Sequence, residues 1–67
     1  MSPKRLSRVI QQLRESKGMS QRALAAKAKV TQGYIAQLEA GGKKNPSLAV
    51  LARIAKALGV PVTELLE

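Results

Sequence analysis

Cysteine and histidine are both missing from the chain. Their absence excludes disulfide staples, thiolate or imidazole metal sites, and Cys- or His-based catalysis together. It says little about redox compartment, because a cysteine-free chain suits a reducing or an oxidising one. Aspartate is missing too, so the four acidic residues are all Glu. Tyr34 is the only aromatic residue, which argues against single-strand binding on aromatic stacking platforms. No apolar run approaches the roughly 20 residues a membrane span needs. The basic start, Met1 to Arg5, is followed by a stretch broken by Arg8, Gln11 and Gln12, which is not a signal peptide.

Against these absences stands charge. Twelve Lys and Arg oppose four Glu, for a net +8. On 67 residues, such an excess points to an anionic partner, nucleic acid or a membrane surface. The cations are scattered from Lys4 to Lys56, as in a folded basic domain and not a disordered arm. The length allows one small domain, residues 1–67, that buries about 60% of its unfolded surface and so needs an efficient core.

Apolar spacing is helical nearly throughout. Leu6, Val9, Ile10 and Leu13 form an i, i+3, i+4, i+7 stripe, predicting a helix from about Lys4 to Lys17 that Gly18 ends. Ser20 is an N-cap for a second helix carrying Leu24, Ala25 and Ala28 inward. Thr31 caps a third, with Ile35 and Leu38 inward, stopped by Gly41 and Gly42. Ser47 caps a fourth, with Leu48, Leu51, Ala52, Ala55 and Leu58 on one face and Gly59 at its end. Val60 and Pro61 open a short fifth helix whose Val62, Leu65 and Leu66 cover the core. Ten Ala residues support the all-α reading, and no strand is expected.

The stretch Gln21 to Glu39 carries the function. Two short helices separated by about three residues must cross closely at a large angle, and Ala25 is small enough to let them. Val30 plugs the turn. The outward face of the third helix then presents Gln32, Gly33, Tyr34, Ala36 and Gln37, short and uncharged, as suits a surface that enters a major groove. Gly41 to Lys44 is no phosphate-binding P-loop, because the spacing and the Ser/Thr after Lys are wrong. Four Glu and five Ser without Asp or His supply no familiar nucleophile–base pair, so no enzyme activity, metal or cofactor is expected.

The pattern Ser20-Gln21, Leu24-Ala25, Val30-Thr31-Gln32, Ile35, Leu38-Glu39, Gly41, Pro46, Leu51, Ala55, Leu58-Gly59-Val60 and Leu65-Leu66 resembles the Cro/CI-type (XRE) helix-turn-helix family, as in lambdoid phage repressors. The resemblance spans nearly the whole chain. It implies a lambda-repressor-like five-helix domain with its motif at about 21–39. It further implies base contacts from Gln32, Gln37, Tyr34 and Gly33, with Gln32 placed to pair with adenine. Phosphate contacts fall to Gln21, Thr31, Lys43, Lys44, Asn45, Ser47 and Arg14, and Gln21 would also steady Gln32. Arg14 and Glu39 match a structural pair linking the first and third helices. Three positions depart from the family pattern. Lys29 stands where Gly is usual at the turn, Gly33 where a base-reading side chain is common, and Pro61 where a Ser or Thr caps the last helix.

These residues predict a sequence-specific double-stranded DNA-binding repressor or regulator. It would act as a homodimer on a pseudo-palindrome, as a cytoplasmic and nucleoid-associated protein of prokaryotic or phage origin. Lys27, Arg53 and Lys56 read as general surface charge. Two rivals remain open: an antitoxin or adaptor whose main partner is a protein, and an interfacial membrane peptide, which the shared core disfavours. The sequence is equally compatible with a whole small regulator and a domain of a longer one.

Overall fold

The computed structural model describes residues 3–42 and 46–66, and local chemistry sets most of its helix ends. The order is α1 (Pro3–Ser16), α2 (Gln21–Ala28), α3 (Gln32–Glu39), α4 (Leu48–Leu58) and α5 (Thr63–Leu66), with no strand among the described residues. Ser20, Thr31 and Ser47 all have extended backbones, and their hydroxyl oxygens accept the amide three residues on, from Ala23, Tyr34 and Val50 at 3.0, 3.0 and 3.1 Å. Each cap satisfies a helix-end N–H that would otherwise lack a partner, a contribution of about 1 kcal/mol.

The C-terminal ends share one device. After α1, α2, α3 and α4, a left-handed residue lets two amides turn back onto the last carbonyls. Met19 N donates to Arg14 O, Val30 N to Ala25 O, Gly42 N to Gln37 O and Val60 N to Ala55 O. This is the Schellman arrangement, which favours Gly at the left-handed position. Gly18, Gly41 and Gly59 comply, with φ of 68°, 81° and 74°. The fourth position is Lys29, with φ 60° and ψ 45°. A non-glycine side chain there costs about 1 kcal/mol, and no other non-glycine residue described has positive φ.

The buried stripe of α1 is Leu6 and Ile10, flanked by half-buried Val9 and Leu13. α2 contributes Leu24, Ala25 and Ala28, and α3 contributes Ile35 and Leu38. α2 lies against both α3 and α4, while α1 packs on α3 and α5. Ala25, 3% exposed, is the small residue that permits the α2–α3 approach, and Val30 leans on the core from the turn.

Two faces differ from the sequence reading. The inner stripe of α4 is Leu51, Ile54, Ala55 and Leu58, whereas Leu48 is 62% exposed and Ala52 is also exposed. Leu48 shares the helical register of Leu51 but, as the first residue of α4, stands outside the buried stripe. Ala52 sits one residue, about 100°, off the stripe. The second difference is α5, which begins at Thr63 and not at Pro61. The Pro61 carbonyl instead accepts the Glu64 amide in the turn that leads in, Leu65 is buried, and Leu66 is 39% exposed.

Candidate nucleic-acid interface

α3 is held at its C-terminal end by a polar clamp built from three elements. The Arg14 guanidinium, on α1, grips Glu39 with two donors. Its Nε lies 2.6 Å from Oε2 and its Nη2 lies 3.0 Å from Oε1. A third donor, Nη1, reaches the Met19 carbonyl at 2.7 Å, tying the side chain back over the end of its own helix. Gln21, the first residue of α2, adds an Nε2 donor to Glu39 Oε1 at 3.0 Å. The Arg14 and Glu39 side chains are only 12% and 6% exposed. Hydrogen bonding to Glu39 raises the pKa of Arg14 above its ordinary value, outweighing the opposing effect of burial. The ionised pair is therefore well satisfied, as burial of a charge requires.

Three of the five guanidinium N–H groups of Arg14 go to Glu39 and Met19, which gives the side chain a structural place between α1 and α3. Gln21 is half-buried and directs its amide nitrogen to Glu39 and not to Gln32.

The opposite end of α3 is open. Thr31, Gln32, Gly33 and Gln37 are exposed, and Tyr34 is half-buried against the edge of the core. Gly33 and Gln37 are one turn apart on the same face. A Cβ built at Gly33 would find only Thr31 Oγ1, at 4.0 Å, and Gly33 does not have positive φ. Nothing inside the fold requires glycine there. The consequence is a shallow step that leaves Gln37 uncovered by its neighbour in the preceding turn. Ser47, at the start of α4, is exposed and already accepts the Val50 amide. Lys43, Lys44 and Asn45 lie outside the described residues.

Among the described residues no group of His, Cys, Asp or Glu is placed to hold a metal ion, and no helix is long and apolar enough to cross a membrane.

The helix-turn-helix family model (HTH_3) matches residues 10–65. The chain belongs to this XRE-type helix-turn-helix family. Its relatives include the HTH-type transcriptional regulator SlrR of Bacillus subtilis, 34% identical over 62 residues, 92% of this chain and 41% of SlrR. The chain thus spans about two-fifths of that relative. A second relative is y4dJ of Sinorhizobium fredii, named as an uncharacterized HTH-type transcriptional regulator. It is 40% identical over 53 residues, 79% of this chain and 68% of y4dJ. Among solved structures, the restriction-modification controller protein C.AhdI of Aeromonas hydrophila superposes with a TM-score of 0.89 at 30% identity, covering 94% of this chain and 90% of C.AhdI. The biofilm master regulator SinR, solved in complex with DNA, gives a TM-score of 0.88 at 35% identity, covering 92% and 98%.

The structure also gathers cations that sequence reasoning treated as scattered. Lys27 and Lys29, at the end of α2, and Arg53 and Lys56, on one face of α4, line a single groove. Periodicity gives Arg53 and Lys56 a shared face, but only the packing of α2 on α4 adds the other two.

Proposed function

We propose that the protein binds double-stranded DNA sequence-specifically and regulates transcription, with α3 as the reading helix. The observation that carries this reading is the contrast along α3, anchored at Glu39 by Arg14 and Gln21 and presenting an exposed, uncharged face at Thr31, Gln32, Gly33 and Gln37. Rigid support behind an uncharged hydrogen-bonding face is what base readout in a major groove needs. The solution of the relative SinR in complex with DNA supports it.

Gln32 and Gln37 hydrogen-bond base edges, Tyr34 contacts a thymine methyl or a phosphate, and Gly33 gives the backbone close access. Phosphates are held by Thr31, Ser47 and the outer edge of Gln21, and by Lys43, Lys44 and Asn45. Backbone contacts of this kind fix register, while the base contacts select sequence. So short a module makes few base contacts. Repression from a rare genomic site is therefore assigned to a homodimer on a pseudo-palindrome with half-site centres about 10–10.5 bp apart. The exposed Leu48 and Leu66 are apolar groups suited to the dimer contact.

Fluorescence anisotropy against random-sequence duplex at two salt concentrations tests the binding, and selection from a random pool yields the operator. Affinity should fall with salt at a log–log slope of about −0.9 per phosphate neutralised. Affinity that ignores salt, together with selected sequences that share no motif, refutes the reading.

A further inference from the structure

The groove between α2 and α4 has a volume of about 330 Å³ and is lined by Lys27, Lys29, Arg53, Lys56 and Ala57. None of these residues belongs to the reading face of α3. All four cations are exposed, and Ala57, half-buried, forms an apolar floor. Arg53 is preset, because its Nε donates to the Ala28 carbonyl at 3.1 Å, leaving its remaining N–H groups for another acceptor. No carboxylate among the described residues pairs with any of the four. Arg14, by contrast, pairs with Glu15 and Glu39.

Helix ends explain part of this clustering. Cations near the ends of α2 and α4 are favoured by the helix dipole. It does not account for Lys29. Among the described residues, α1, α3 and α4 close on Gly at the left-handed position, while α2 closes on a side chain that the backbone disfavours. Lys27 already supplies a cation to the last turn of α2. The strain at Lys29 therefore retains a charge at this one place in the fold, on the rim of the groove.

We propose that this groove is an anion site that takes a small polyphosphate, a molecule bearing two or three linked phosphate groups. Four positive groups from two helices converge on a recess, which suits a compact, multiply charged anion. A duplex backbone is better met by cations spaced along a flatter surface. Arg53 offers planar paired donors to phosphate oxygens, and the three lysines supply charge without fixed geometry. The proposal is independent of DNA reading by α3, and the two can fail separately.

The test is an NMR titration of the full chain with pyrophosphate at constant ionic strength, with sodium chloride as the control. Saturable amide shifts are expected at Lys27, Lys29, Arg53, Lys56 and Ala57, with Gln32, Gly33 and Gln37 unmoved. Lys56→Gln should weaken pyrophosphate binding by about three- to ten-fold with no change in melting temperature. Lys29→Gly should weaken it similarly while raising the melting temperature, a pairing of opposite effects that general destabilisation cannot produce. Shifts that do not saturate, shifts spread equally over α1 and α3, or unchanged affinity in both variants overturn the proposal. So does a result in which a short non-cognate duplex moves the groove amides and pyrophosphate does not, because the groove is then a backbone contact.

Discussion

The two ends of α3 are built on opposite principles. At Glu39 a buried carboxylate is gripped by two donors of Arg14 and one of Gln21, joining three helices at one point. At Thr31 to Gly33 a single side-chain cap holds the first turn, and the side chains around it face solvent. The difference teaches that stability and recognition occupy separate ends of one eight-residue helix. Substitutions should therefore separate them. The largest effect belongs to the clamp. Glu39→Ala leaves the Arg14 guanidinium buried without its partner and should cost about 3 kcal/mol, measured by urea denaturation. That is a large part of the stability of so small a domain. Replacing both partners, Arg14→Met with Glu39→Leu, should recover much of the loss. A Glu39→Ala protein as stable as wild type would mean that the clamp does not anchor α3.

The open end should behave in the reverse way. Gln32→Ala is expected to lose about 2 kcal/mol of binding at the selected operator, little on random DNA, and nothing in thermal stability. Equal losses on both DNAs would remove Gln32 from the base-reading set. Between these extremes lies Thr31→Ala, which removes the cap of α3 and should cost about 1 kcal/mol of stability. Its hydroxyl also sits at the open end, so operator affinity should fall further than the stability loss explains. Affinity that is unchanged once unfolding is corrected for would confine Thr31 to capping.

Local chemistry made most of the fold legible. Ser20, Thr31 and Ser47 before apolar stripes, and Gly18, Gly41 and Gly59 after them, mark helix ends without reference to anything distant. The inner face of α4 was only half legible. Leu48 satisfies the stripe that Leu51 and Leu58 define, and whether the first residue of a helix is covered depends on where other helices end. The Arg14–Glu39 pair joins residues 25 apart and was reached through family resemblance, not through spacing. Gln21 was legible as a helix start, yet its bond to Glu39 required the fold. The basic groove was illegible for the same reason: its four cations come from two segments about 25 residues apart, and only packing makes them one surface.

The smallest effect is the most informative about why the open end has its shape. Gly33 lies in the first turn of α3 without positive φ, and a Cβ there would meet only Thr31 Oγ1 at 4.0 Å, an ordinary van der Waals contact. Inside the protein alone, Gly33→Ala should therefore stabilise α3, by about 0.5 kcal/mol, through lower unfolded-chain entropy. If glycine is there so that the helix backbone and Gln37 can approach DNA closely, the same methyl must weaken operator binding while the melting temperature rises. A stabilised protein with unchanged affinity would show that the step beside Gln37 faces water in the complex. A glycine that is dispensable to the fold and needed by the ligand is the reverse of Glu39. Measuring both variants on the same two axes, stability and operator affinity, decides whether the two ends of α3 are as separate as their geometry makes them.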